Sequence, residues 1–352
     1  MKHLTHIAHI ALLLPLLATI SPSAYALEPA PANIVLLEGK PIEGAWVERE
    51  TLEGVFFFLG DWRSPQRVVV TRKRSQYDKV VYTSEGDDPN YLRALALARD
   101  NKADAPDFFK KATGTAKWQW VVEDSYLRAA TGYANAKEKK SDDALAVLKE
   151  YVEKFPQSVR MAEVVTLRAG LLLAKGDKAG AAKDYAEMEK QGPAWSPGTW
   201  LTGVIGQRDV LVADKKFTEA VDFLTPRWTK VKAESETEAF AAIGLAIADD
   251  LKAAGKAEDG VTTLKKLYLA PLPSEVQSKA RLRHARILAE ANDTKGNLAA
   301  FDQAAIAALL GADDETQAAA IKLVRDLAVK IDKDQTVSSE DRTAYRKYPS
   351  GL

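Results

Sequence analysis

Four histidines, 49 acidic and 49 basic side chains, and no cysteine are the groups from which this 352-residue chain must build any reaction or metal site. A nucleophile and base pair needs an imidazole or a thiolate beside the attacking group, and tetrahedral metal sites draw on the same two side chains. His3, His6 and His9 lie in a leader read below as removed, which leaves His284, in the run ARLRHARIL between Arg281, Arg283 and Arg286. One histidine on a basic helix reads as a surface or packed side chain. The carboxylate doublets Asp142-Asp143, Asp249-Asp250 and Asp313-Asp314 are the remaining candidates for acid and base work. Residues i and i+1 of a helix point in different directions, so each doublet reads as a turn, a solvated face or a first-turn charge. The spacings GxGxxG, GxxxxGK[ST], HExxH and GxSxG are absent. The expectation is a protein without catalytic, metal or cofactor residues.

Two binding chemistries remain. Trp118 and Trp120 straddle one residue, and Trp195 and Trp200 flank SPGT, so these rings suit either stacking on a carbohydrate or pinning long loops to helices. Arg72-Lys73-Arg74 is the compact basic run, with Glu48, Glu50 and Asp78 near it in sequence. A nucleic-acid footprint needs a larger basic field, and a chain of net charge zero supplies none, so nucleic acid is not an expected partner.

The elements that must position these groups fall into stretches of different character. Lys2 and the three early histidines precede an apolar run at 10–20, and Ala24-Tyr25-Ala26 places small residues before a cleavage point. Residues 1–26 therefore read as a secretory signal peptide cut after Ala26, since the run falls well short of the roughly 20 residues that span a bilayer. No later stretch is apolar enough to span. With no cysteine there is neither a lipidation site nor a disulfide, and the expected address is the periplasm or the cell exterior.

Residues 27–33 (LEPAPAN) form a short linker. The period then changes to two, with β-branched and aromatic runs at 34–38, 42–50, 55–60, 67–72 and 79–83, separated by Gly39, Gly54, Gly60 and Ser75. Five short strands across 34–84 predict a small antiparallel barrel, because closure removes exposed edges. The hairpin at Leu36, Gly39, Ile42 and Gly44 resembles those of SH3-like or Sm-like small barrels.

From residue 89 the spacing is helical. Within 132–193 two copies of one helix-turn-helix pattern follow each other: Gly132, Tyr133, Ala144, Leu148 and Pro156, then Ala169, Ala181, Tyr185 and Pro193. Taking the small residue early in each second helix as the marker gives Ala105, Ala144, Ala181, Ala220, Gly260 and Asn297, with gaps of 39, 37, 39, 40 and 37 residues. A fixed period in this range signals stacked repeats. The turns before the markers carry Gly176, Lys215, Gly255 and Asn292, as helix ends prefer. These positions resemble the tetratricopeptide repeat, over about 89–333. The fold class is therefore mainly α: a solenoid of TPR-like helical hairpins, about six pairs, preceded by the barrel. The run 315–331 reads as a capping helix and 334–352 as a polar tail.

The resemblance implies a concave groove lined by the first helix of each pair, suited to a peptide or protein segment. Projecting the family's groove positions onto this chain gives Tyr126 and Tyr133, Glu163 and Thr166, Asp209, Asp249 and Lys252, and Arg286. The function so implied is an exported, non-enzymatic scaffold for a protein partner. The alternative is an accessory binder of carbohydrate or peptidoglycan using the four tryptophans, and a hydrolase with paired carboxylates is a third.

Overall fold

The structure, a computed structural model, describes residues 27–136, 140–196, 198–311 and 313–351. The expected leader, with its cleavage point after Ala26, lies outside the described residues. The chain divides into two compact units, Met1–Lys140 and Ser141–Leu352.

The first unit opens with five strands: β1 (Ala30–Leu36), β2 (Ile42–Thr51), β3 (Gly54–Leu59), β4 (Val70–Lys73) and β5 (Tyr77–Tyr82). They form one antiparallel sheet in the order β4-β3-β2-β1-β5. The barrel expectation is met in part: Ile34, Val47, Val55, Phe57 and Tyr77 share a single core with Val70 packed on it, yet among the described residues no ladder joins β4 to β5. A single 3-10 turn, Arg74–Gln76, leads from one edge strand to the other.

Three helices complete this unit: α1 (Pro89–Arg99), α2 (Ala105–Thr115) and α3 (Gln119–Asn135). The break in the strand pattern is a capping site, for the Asp88 carboxylate accepts from the amides of Asn90 and Tyr91 at 2.8 and 3.0 Å, and Pro89 fills the first helical position. Gly132 is small because α2 passes over it: a Cβ there would stand 2.4 Å from the Pro106 ring. Trp120 stacks on Tyr82 at 4.8 Å, with Tyr91 edge-on to it and Trp118 beyond.

The second unit is helical throughout: α4 (Ser141–Lys154), α5 (Met161–Ala174), α6 (Lys178–Gln191), α7 (Thr199–Ala213), α8 (Phe217–Trp228), α9 (Thr237–Ala253), α10 (Ala257–Leu269), α11 (Ser274–Glu290), α12 (Thr294–Leu309), α13 (Asp314–Lys333) and α14 (Ser339–Lys347). The period in the sequence is the period in space. Ala144, Ala181, Ala220, Gly260 and Asn297 are each the fourth residue of α4, α6, α8, α10 and α12, and all five are buried. The turns repeat as faithfully. Gly176, Lys215, Gly255 and Asn292 each stand two residues beyond the end of α5, α7, α9 or α11, with φ of +86°, +58°, +78° and +50°. A left-handed residue there reverses the chain and satisfies the last helical carbonyls.

Each helix packs mainly on its neighbours in sequence, while α5 touches α7, α7 touches α9, α9 touches α11 and α11 touches α13. The first helices therefore lie side by side and share one face. A continuous core runs beneath, from Val204, Leu224 and Ile243 to Leu264, Leu267 and Ala280, with a second cluster around Phe301, Val324, Leu327 and Ile331. The expected capping helix has a partner: α14 follows α13, and Tyr345 and Tyr348 set their rings on Phe301 at 4.8 and 5.5 Å.

Candidate functional site

Two concavities open on the face shared by α5, α7, α9, α11 and α13. The smaller, about 510 Å³, lies among Glu163 and Thr166 of α5, Met188, the loop residues Ser196 and Gly198, Thr199 and Thr202 of α7, and Glu238 at the start of α9. The larger, about 870 Å³, lies among Asp249 and Lys252 of α9, Lys279, Leu282, Arg283 and Arg286 of α11, and Asp313, Glu315 and Ala319 at the start of α13. Five of the eight groove residues expected from sequence thus line one or the other: Glu163, Thr166, Asp249, Lys252 and Arg286.

Helical spacing explains the grouping. On α11, positions 279, 282, 283 and 286 follow the i, i+3, i+4, i+7 rule and form one stripe, and 163 and 166 do the same on α5. Most charges in the larger concavity are matched across helices. Arg283 Nε donates to both oxygens of Asp249 at 3.1 and 3.2 Å, Lys252 reaches Glu290, and Lys279 bridges Glu275 and Asp313. The Thr316 amide and the Lys279 ammonium hold the Asp313 carboxyl down to about 2. Arg286 is exposed and has no such partner. In the smaller concavity Glu163 pairs with Arg160 at 3.1 Å, and Thr166 Oγ1 donates to the Ala162 carbonyl of its own helix. Glu238 is exposed there without a partner.

The remaining three expected residues stand elsewhere. Tyr126 is wholly buried and Tyr133 is 8% exposed, its hydroxyl donating to Asp107 at 2.8 Å. Both sit in the core of the first unit, because α3 is covered by α2 and also reaches β2, so the side a first helix would leave open is closed here. They are not available to a partner. Asp209 is half-buried beside Arg208, at 2.8 Å, and lines neither concavity.

The doublet Asp249-Asp250 proves unequal. Asp249 faces the concavity as a solvated face would, but Asp250 is 1% exposed and opposes Arg208 of α7, whose Nε donates to it at 2.8 Å while a second guanidinium nitrogen meets its other oxygen. Burial works against the charge on Arg208, yet its hydrogen bonds to Asp250 and Asp209 prevail and hold the guanidinium protonated beyond its usual strength. Burial also draws the Asp250 carboxyl upward against the pull of Arg208. With two nitrogens facing two oxygens, the geometry is that of an ion pair. Its sequence signal was the position of Asp250 on the apolar face of α9, beside Ile247 and Leu251, where an acid needs a buried partner.

His284 is 5% exposed, stacked on Tyr268, with Nδ1 3.3 Å from the Tyr268 hydroxyl. Burial, with Lys265 and Arg281 nearby, lowers it to about 4, so it is neutral at pH 7. Among the described residues no three His, Cys, Asp or Glu side chains are grouped to hold a metal ion. No described helix is long and apolar enough to cross a membrane. The tryptophans that suggested sugar stacking are half-buried and engaged: Trp118 and Trp120 with each other and with Tyr82 and Tyr91, Trp195 against the core of α5 and α6, Trp200 against that of α8 and α9.

No protein-family model matches the sequence, and no curated protein matches it. Among solved structures, the fold is similar to the crystal structure of the C-terminal part of a TPR repeat-containing protein from Cytophaga hutchinsonii, with a TM-score of 0.50 and 14% identity over 74% of this chain and 95% of that one. A tetratricopeptide repeat protein from Parabacteroides merdae aligns at a TM-score of 0.30 and 13% identity, over 67% of this chain and 99% of that one. The helix arrangement and the first of these likenesses make the fold a TPR-like helical array with an N-terminal antiparallel sheet.

Proposed function

We propose that this chain is an exported, non-enzymatic scaffold that holds an extended segment of a protein partner along the face shared by α5, α7, α9, α11 and α13. The observation that carries the reading is that this face bears two concavities, with five expected groove residues on their walls. A row of parallel helices presenting charged and hydroxyl groups over apolar floor residues such as Leu201, Leu282 and Ile287 suits a segment that supplies its own polar groups. Two features support a non-enzymatic role: the one histidine beyond the leader is buried against Tyr268, and the acidic doublet at 249–250 diverges into two separate ion pairs. Export rests on the leader at 1–26, and amino-terminal sequencing of the protein from an envelope fraction should begin at Leu27.

The absence of cysteine makes the binding face testable. A photo-crosslinker attached to Thr166→Cys or Ala319→Cys, both on the shared face, should join a partner from an envelope extract. The same group at Asp259→Cys, on the exposed side of α10, should not. Equal capture from both sides, or capture only from α10, would overturn the reading.

A further inference from the structure

The shared face has a direction. Helix α9 runs past both concavities, with Glu238 in its first turn at the smaller and Asp249 and Lys252 near its end at the larger. Eleven residues separate Glu238 from Asp249, close to three full turns, so they lie on one stripe of the helix about 16 Å apart. The charged lining of the smaller concavity is acidic alone, Glu163 and Glu238, and of these only Glu163 has a cation beside it. The larger is lined by four cations, of which Lys252, Lys279 and Arg283 are each matched by a carboxylate and Arg286 is not. Glu315 on its far wall, on α13, is a further unmatched acid, yet the lining still carries four cations against three acids. On α9 and α11 a free anion and a free cation therefore stand at opposite ends of the face. Arg286 lies between Arg283, which meets Asp249, and Glu290, which meets Lys252, so along α9 it is level with residues 249–252. Glu238 and Arg286 are then about 16 to 21 Å apart along the helix, the reach of about five or six residues of extended chain at ~3.3 Å each.

We propose that the face takes an extended segment with a lysine or arginine of the segment at Glu238 and an aspartate or glutamate, five or six residues away, at Arg286. This rests on the binding role proposed above and adds the charge spacing of the partner. Like-charged juxtaposition at both ends disfavours turning a given segment end for end, which is how charge fixes register at an interface. Half-buried Ala242 and Leu245 occupy the stripe of α9 between the two ends, so the middle of the segment meets small or apolar surface.

Selection from a displayed library of random octapeptides at low salt tests it. The retained pool should be enriched in sequences carrying a basic and an acidic residue five or six positions apart. Glu238→Gln should abolish the basic preference and leave the acidic one, and Arg286→Gln should do the converse. Each change should weaken a capped peptide of the selected pattern by about two- to five-fold, the range for an exposed pair, and making both peptide charges alike should weaken it as well. Both side chains are exposed and unpaired, so melting curves of the variants should match the parent. Retained peptides without paired opposite charges at that spacing, or with preferences that survive both substitutions, would overturn the charge assignment while leaving the binding face in place. Retention of no peptide would remove the binding face and this assignment together.

Discussion

At the scale of single residues, the groups that matter most for stability are polar and buried. Arg208 and Asp250 tie α7 to α9 through a two-bond pair with the acid 1% exposed. Removing one partner of such a pair leaves the other charge unmatched in a poor solvent, whereas removing both does not. Arg208→Leu is therefore expected to lower the unfolding free energy by about 3 kcal/mol, somewhat less than for a fully enclosed pair because the guanidinium retains some solvent contact. Arg208→Leu with Asp250→Leu should recover most of the loss, read as urea midpoints at unchanged slope. Equal losses in the single and double variants would mean that packing, not charge, holds the site. His284 gives a second expectation. Its folded value of about 4 lies below the ordinary histidine value of 6.5, so between the two the unfolded chain binds a proton that the folded chain refuses. Stability then falls as pH drops from about 6.5 toward 4, by up to about 1.4 kcal/mol per pH unit from this residue. A His284→Gln variant, whatever its stability at pH 7, should show a shallower decline than the parent over that window; parallel curves would refute the assignment.

At the scale of elements, helix contacts explain which small residues are required. A Cβ at Gly206 would stand 2.2 to 2.4 Å from three atoms of the Tyr185 ring, so α6 and α7 meet at the distance that glycine permits. Gly206→Ala should cost about 1–3 kcal/mol by overpacking, against the gain in helix propensity that alanine brings elsewhere. Lys215 is the odd member of the four left-handed turns, at φ +58° where two counterparts carry glycine. Lys215→Gly should stabilise by about 1 kcal/mol by relieving the side chain's clash with the backbone. A loss on thermal unfolding would show that the lysine makes a compensating contact. The same elements show what was legible in the sequence. The markers at 144, 181, 220, 260 and 297 were readable because a helix crossing at close range needs a small side chain in the same place each time, and the turn residues because reversal needs a left-handed position. Strands were readable from alternation, but that β4 and β5 remain unpaired edges among the described residues was not, since whether two edge strands meet leaves no mark in composition. On the candidate face, Glu163, Thr166, Asp249, Lys252 and Arg286 came from projecting the resembled family's groove positions onto the repeat register, and all five line a concavity. Tyr126 and Tyr133 did not, because what covers α3 is set by α2 and β2, which a repeat register does not contain. Asp250 was missed because the doublet was read as one solvated unit, although its place on the apolar face with Ile247 and Leu251 marked it for a buried partner.

At the scale of the whole molecule, a helical array distributes stability along its length instead of concentrating it. Each pair contacts chiefly its neighbours, so an element's protection depends on how many sides it has covered. The middle of the second unit has most: α9 buries Ile243, Gly244, Ile247, Ala248, Asp250 and Leu251 and is flanked by α7, α8, α10 and α11. The end has least. Helix α14 buries no residue, is only nine residues long, and is attached through Tyr345 and Tyr348 resting on Phe301. A helix that short is not stable alone in water, so its amides are protected only while those two rings stay docked. Hydrogen exchange followed by mass spectrometry should therefore show a gradient, with peptides of α9 and α10 slowest, α13 intermediate, and α14 faster than α9 by several orders of magnitude. Tyr345→Ala should bring α14 close to the exchange rate of an unfolded peptide while leaving α9 unchanged, since the core around Ile243 and Leu264 lies several helices away. Protection of α14 equal to that of α9 would mean that the array opens as one cooperative body, and the segmental account of its stability would be wrong.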